Sequence, residues 1–175
     1  MTQIPNPDAE ALYRTLRDQV QAMIPDGERA QWSVAGIYSG GAWIAERLAA
    51  DLKLPDHGVI NVAFHRDDYA KKGLHSQAQP TTLPFDVQDR KILLIDDVLA
   101  TGRTIRAAVN ELFDYGRPAR VALAVLVDRG GRELPMTADL AAAQIELPRG
   151  RTLVLSHQGE GAAMRFAFTT EATAA

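Results

Sequence analysis

Apolar and polar positions divide the chain into alternating helical and extended segments. Ala9, Leu12, Leu16, Val20 and Met23 recur at helical spacing over residues 8 to 23, and Pro25, Asp26 and Gly27 close that helix. Residues 33–38 predict a first strand, a Ser39-Gly40-Gly41 turn follows it, and residues 42–52 predict a helix with Ile44, Ala45, Leu48 and Leu52 inward. Residues 59–64 predict a second strand. Residues 67–84 have little periodicity and turn-prone positions at Pro80, Thr81 and Pro84; such a stretch inside a compact domain is more often functional than filler. Ile92, Leu93, Leu94 and Ile95 form a continuous apolar run, the pattern of a strand buried on both faces of a parallel sheet. A helix over 103–115 carries Ile105, Ala108, Val109, Leu112 and Phe113 on one stripe and stops at Gly116. Residues 121–127 read as another buried strand, 129–151 as loop-rich, and 153–155 and 164–168 as short terminal strands. Strand–helix alternation predicts an α/β protein with a mainly parallel central sheet flanked by helices.

In such a sheet, ligands bind at the carboxyl ends of the strands. Residues 38–41, 65–75, 96–104 and 128–132 are expected to converge there. The most informative of these runs Asp96-Asp97-Val98-Leu99-Ala100-Thr101-Gly102-Arg103-Thr104. Two carboxylates end the apolar run, and a small, hydroxyl-rich turn opens the next helix. A helix N-terminus presents unpaired N–H groups and the positive end of its dipole, which together favour an anion. Thr101 and Thr104 add hydroxyl donors, and Gly102 lets the backbone approach closely. The carboxylates accept hydrogen bonds only, so they suit sugar hydroxyls or hydrated Mg²⁺ rather than the phosphate. No nucleotide P-loop and no dinucleotide fingerprint is present.

Composition narrows the picture. With 175 residues and 46% hydrophobic content, a single well-buried domain is expected over 1–175. The absence of cysteine excludes disulfides, thiol catalysis and cysteine zinc sites. His57, His65, His75 and His157 lack metal-ligand spacing, and the net charge of -3 does not suggest a general nucleic-acid binder. No basic-apolar leader and no apolar run of membrane-spanning length is apparent, so a cytoplasmic protein with no membrane partner is expected.

The strand, acid pair and T-G-x-T loop resemble the signature of the type I phosphoribosyltransferases. Residues 65–68 with Lys71-Lys72, and the run 125–135 (Val-Leu-Val-Asp-Arg-Gly-Gly-Arg-Glu-Leu-Pro), resemble one branch: pyrimidine-operon attenuators that are also uracil phosphoribosyltransferases. The resemblance implies the phosphoribosyltransferase fold with a small hood from about 1–30 and 129–175, and a lid at about 67–84. It implies transfer from 5-phosphoribosyl 1-pyrophosphate (PRPP) to uracil, giving UMP and pyrophosphate, with Mg²⁺ held through substrate and water near Asp96 and Asp97 rather than by direct ligation.

The implied residue roles are as follows. Asp96 and Asp97 hold the ribose hydroxyls, and Arg66 neutralises the departing pyrophosphate. Ala100, Thr101, Gly102, Arg103 and Thr104 cradle the 5′-phosphate, while Ser39, Gly40 and Gly41 form the pyrophosphate loop. Backbone groups around Val127, Asp128, Arg129 and Ile145 select the base. Purine members place an acid at the position of Ala100, so Ala100 favours a pyrimidine. A homodimer or higher homo-oligomer is implied, and the 42–52 helix with Trp43 is the face expected at such an interface. Arg14, Arg17 and Arg132 are candidates for contact with a pyrimidine-operon mRNA leader, and a UMP-responsive RNA-binding attenuator with little catalysis is the alternative function. Two positions depart from the branch: its Lys-Thr-Arg-Gly loop is here Tyr38-Ser39-Gly40-Gly41, and Gly131 stands where RNA-binding attenuators carry a His.

Overall fold

The computed structural model describes residues 6–62 and 80–173. Helix α1 (Ala9–Met23) leads through a 3-10 turn (Asp26–Gln31) into β1 (Trp32–Ile37), followed by α2 (Gly40–Asp51), β2 (Gly58–Ile60), β3 (Lys91–Leu99), α3 (Arg103–Tyr115), β4 (Arg120–Asp128) and β5 (Leu140–Gln144). β6 (Arg151–Gln158) and β7 (Arg165–Ala172) flank a second 3-10 turn (Gly161–Ala163). The first five strands form one parallel sheet in the order β2-β1-β3-β4-β5, and β6 and β7 form a separate antiparallel hairpin. β3 is flanked on both sides, so Ile92, Leu93, Leu94 and Ile95 are fully buried, as their unbroken apolar run predicts.

Strand alternation sends side chains to two cores. Leu93 and Ile95 join α1, α2 and the hairpin; Ile92 and Leu94 join α3. α2, which follows β1, and α3, which follows β3, therefore lie on opposite faces of the sheet. The chain moves outward from β1 to β2, then returns to place β3 on the other side of β1. The β1/β3 boundary is thus the point where strand order reverses, the place at the carboxyl ends where sheets of this kind take their ligands.

Several boundaries differ from expectation, each for a tertiary reason. β3 continues through the acid pair to Leu99, because Val98 and Leu99 pair with Val127 and Asp128. α2 begins at Gly40, so Gly40 and Gly41 are its first turn rather than a turn before it. β2 ends at Ile60; Asn61 and Val62 lie outside it, and residues 63 and 64 lie outside the described residues. β5 lies in the stretch read as loop: its Leu-Ala-Ala-Ala-Gln sequence carries little strand propensity, and pairing with β4 supplies the order. The terminal strands are longer than expected, because each strand of the hairpin extends the other's pairing. On α3, Ala107 is buried and Phe113 is 52% exposed, so the predicted stripe is rotated toward Ala107.

The face of α2 expected to meet another copy packs in part against neighbours within the chain, leaving Trp43 and Glu46 half-buried. Arg47 of α2 is buried against Glu10 and the Tyr13 ring of α1, Glu46 accepts the Gly161 N–H, and the Trp43 ring lies 4.3 Å from that of His157 on β6. Trp43 packs on the hairpin beside the α2 amino end. Helix α1, placed with the hood by sequence, shares its core with α2 and the sheet.

Candidate active site

The acid pair and the proposed pyrophosphate loop meet at the strand-order reversal. α2 opens directly over β3. A Cβ on Gly40 would stand 2.4 Å from Asp97 Oδ2, one on Gly41 would stand 2.3 Å from the Ile95 carbonyl, and one on Gly36 of β1 would stand 2.2 Å from the Gly41 carbonyl. All three distances are far below contact; at Gly36 and Gly41 the clash is with backbone and requires glycine, and at Gly40 it is with the Asp97 side chain, which would have to move. Gly36 escaped the sequence reading. The signal that could have found it was a lone glycine inside a buried strand.

Ser39 caps α2 without a side-chain bond, and its carbonyl accepts the Trp43 N–H at 3.2 Å. The first amides of α2 are the ones a helix leaves without intrahelical partners. They and the helix dipole stand beside Asp97 where the branch pattern would supply a lysine and an arginine.

Asp96 is 2% exposed and its Oδ1 accepts the Asp97 N–H at 3.0 Å; Asp97 Oδ1 accepts the Val98 N–H at 2.8 Å. Adjacent strand residues face opposite sides of a sheet. Asp97 faces the amino end of α2, and Asp96 faces the other side. The two carboxylates therefore have different surroundings and cannot be interchangeable.

Beyond Leu99 the chain turns through Gly102, at φ +91°, into α3. Gly102 is the helix N-cap and offers no side-chain oxygen. The Arg103 N–H donates to Thr101 Oγ1 at 3.2 Å, and the Arg103 guanidinium pairs with Glu133. The 129–134 loop lies behind this turn. Arg129 N–H donates to the Leu99 carbonyl at 3.0 Å, and Glu133 and Leu134 N–H both donate to the Thr101 carbonyl, at 2.9 and 3.1 Å. Arg132 bonds the Ala100 carbonyl at 2.9 Å, the Met136 carbonyl at 2.7 Å and the Asp128 carboxylate. That hydrogen bond to Arg132, aided by the Gly130 amide, holds the Asp128 carboxyl below the usual carboxylate range, outweighing the opposing effect of burial.

Three of the four expected segments thus come together: 38–41, 96–104 and 128–132. The fourth, 65–75, lies outside the described residues with Arg66, His65 and His75, as does most of the expected lid; Thr82, at its end, bridges to Val59. The positions expected to select the base are more constrained than the sequence suggests. The Val127 side chain is fully buried, the Arg129 N–H is engaged by Leu99, and the Ile145 N–H donates to the Asp128 carbonyl at 3.0 Å. These two amide donors are therefore already engaged within the chain.

The arginines grouped as an RNA patch are not together in one chain. Arg17 lines a cleft with Asp51, Leu52 and Lys53 at the carboxyl end of α2, which is the amino edge of the sheet. It also bonds Asp18. Arg132 sits at the carboxyl edge. α2, 12 residues long, spans that separation, about 18 Å at the helical rise. Arg14 is exposed on the same helix as Arg17.

Among the described residues, no group of three or more His, Cys, Asp or Glu side chains is placed to cage a metal. Two hard carboxylates suit Mg²⁺ of the kind that keeps its waters and binds mainly through a phosphorylated substrate. No helix among the described residues is long and apolar enough to cross a membrane.

The chain is similar to known proteins in sequence and in fold. The phosphoribosyl transferase domain family matches residues 8–145. The chain is 65% identical over 164 residues to the "Bifunctional protein PyrR" of Ralstonia nicotianae, covering 94% of each chain. It is 49% identical over 150 residues to the protein of the same name from Nitrosococcus oceani, covering 82% of this chain and 85% of that one. A solved hypoxanthine-guanine phosphoribosyltransferase from Leishmania tarentolae, in complex with GMP, superposes with a TM-score of 0.60 at 15% identity over 83% of this chain and 82% of its own. At that identity the likeness shows the fold alone.

Proposed function

The chain belongs to the phosphoribosyl transferase family, within its PyrR branch, and on that premise we propose that it transfers the 5-phosphoribosyl group of PRPP to uracil. The observation that carries this reading is Asp97 lying against Gly40. One crevice then holds a carboxylate for the ribose, a helix amino end for the pyrophosphate and, one turn along, a second helix amino end for the 5′-phosphate.

In the reaction, N1 of uracil bonds to C1′, the C1′–oxygen bond to pyrophosphate breaks, and the N1 proton is lost. Positive charge develops on the ribose as the leaving group departs. Asp97, at the α2 end, and Asp96, on the other side of β3, orient the ribose hydroxyls and stabilise that charge. The amides of α2 receive the pyrophosphate, and Arg66 is proposed to neutralise it. Mg²⁺, when bound through PRPP oxygens and water near the acid pair, supplies further charge neutralisation for the leaving group.

The preference for uracil rests on Ala100, which offers no acid to a purine imidazole, and on carbonyl oxygens near 127–129 able to accept the uracil N3–H. The closing of residues 67–84 over the site, a hood built on the β6–β7 hairpin, and assembly as a homodimer belong to the same proposal. The name "bifunctional" carried by the relatives supports a second, regulatory role with a pyrimidine-operon leader RNA. In one chain Arg14, Arg17 and Arg132 do not form a single patch for it. A panel of uracil, orotate, hypoxanthine, guanine, adenine and xanthine with labelled PRPP tests the reading. Uracil is expected to be the one base converted efficiently, and preference for any purine would overturn it.

A further inference from the structure

We propose that Arg132 is a positioning residue for the 5′-phosphate cradle, acting through the Ala100 carbonyl, an inference that rests on the PRPP reading above. Three consecutive carbonyls, those of Leu99, Ala100 and Thr101, are all drawn by the 129–134 loop. In a trans peptide the C=O and the following N–H point in opposite directions. Each carbonyl turned toward the loop therefore turns the next amide away from it. Arg129 sets the Ala100 N–H in this way, Arg132 sets the Thr101 N–H, and Glu133 with Leu134 sets the Gly102 N–H. The amides at 101 and 102 point to the side where the phosphate is proposed to lie.

Of these three links, only the middle one is made by a side chain. A planar guanidinium suits the task because its donors diverge in one fixed fork. Nε reaches the Met136 carbonyl, Nη1 the Ala100 carbonyl and Nη2 the Asp128 carboxylate, so the loop, the turn and the end of β4 are joined at one group. The Arg132 side chain is 26% exposed, and with its donors so engaged it is placed to hold backbone rather than to meet RNA phosphates. Substitution at 132 leaves the backbone links at Leu99 and Thr101 in place.

The test is calorimetric binding of ribose 5-phosphate to the full chain, with steady-state kinetics varying PRPP and uracil separately. Arg132→Ala is expected to weaken ribose 5-phosphate binding and to raise KM for PRPP by at least ~10-fold, the scale of one charge-assisted hydrogen bond, with KM for uracil within about twofold. Arg132→Lys, which keeps the charge but not the fork, should fall between wild type and Ala. If the Ala variant does not fold by circular dichroism, the Lys variant carries the comparison. Unchanged ribose 5-phosphate binding in the folded variant overturns the inference, as does equal loss of uracil and PRPP affinity. Loss of leader-RNA binding with sugar-phosphate binding intact would also overturn it, in favour of an RNA role. Wild type that binds ribose 5-phosphate in an Arg132-dependent way but converts no base would sink the uracil reading and leave this inference standing. Wild type that binds no ribose 5-phosphate would end both.

Discussion

Two carboxylates adjacent in sequence occupy different environments, so their substitutions should differ. Asp97→Asn is expected to lower turnover at least ~10²-fold, on the scale of losing a transition-state electrostatic contact. Asp96→Asn should lower turnover and also destabilise the fold, because Asp96 is almost fully buried and its carboxylate supports the strand by accepting the Asp97 amide. Steady-state kinetics beside urea unfolding separates the two, and near-normal activity in the double variant would remove the acid pair from the mechanism. Gly40→Ala puts a methyl group into the Asp97 carboxylate. Overpacking of this kind costs about 1–3 kcal/mol, and here the displaced atom is the proposed catalytic one, so activity should fall further than stability. Retained activity would show that Asp97 can yield without consequence. The Asp128–Arg132 pair gives a pH signature. The folded-state pKa of Asp128 is depressed, so its stabilisation is fully present above the unfolded value of about 4 and is lost as pH falls through the lower folded value. Asp128→Asn should cost roughly 1 kcal/mol at pH 7, and the difference from wild type should shrink as the pH falls below about 4. A pH-independent difference would mean that the charge of Asp128 does not matter.

At the level of elements, the position of α2 decides the proposed pyrophosphate site, and a buried polar cluster fixes that helix against its neighbours. Arg47 donates to Glu10 Oε1 at 2.7 Å, its guanidinium stacks over the Tyr13 ring at 3.8 Å, and the Tyr13 hydroxyl donates to Asp51 at 2.7 Å. Glu10 Oε1 also accepts the Phe166 amide at 2.7 Å, tying α1, α2 and β7 together. Burial pushes the Glu10 carboxyl up, but Arg47 and the Phe166 amide outweigh it and hold it below its ordinary range. Glu10→Ala strands a cation whose side chain is 8% exposed, with Asp51 left as a partner at 3.8 Å. The expected loss is about 3 kcal/mol, the lower end for breaking a buried pair. That corresponds to a fall in Tm of roughly 6–12 °C for a chain of this size. A thermal melt checks it, and a shift under ~2 °C would mean that water replaces the carboxylate without cost. Periodicity revealed α1, α2 and α3, but Tyr13, fully buried, was absent from the predicted stripe of α1. Its hydroxyl needs a partner from another helix, which no local pattern displays.

For the whole molecule, the proposed homodimer is constrained by what one chain already packs against itself. α2 packs against α1, the hairpin and the 3-10 turn at Gly161–Ala163, with Trp43 half-buried on the hairpin, so a homodimer is proposed to use another surface. Light scattering during size exclusion at micromolar concentration should give about twice the 19.1 kDa chain mass. Trp43→Ala is expected to leave that mass unchanged while destabilising the packing of α2 on the hairpin. Dissociation to monomer on this substitution would restore Trp43 to the interface.

Local pattern sufficed for the alternation of strands and helices, the central strand of Ile92 to Ile95, the acid pair at its end and the turn that opens α3. Each is set by residues within a few positions of one another, through apolar period, turn chemistry and the unpaired amides of a helix start. Tertiary structure alone decided the rest. Gly40 meets Asp97 because the order of strands reverses between β1 and β3. Arg132 meets Ala100 across 32 residues because β4 ends beside β3. β5, poor in strand-forming residues, exists because β4 offers it a free edge. That Trp43 meets His157 on the hairpin was not legible locally, because sequence records which positions are apolar, and not which neighbour in the same chain will pack on them.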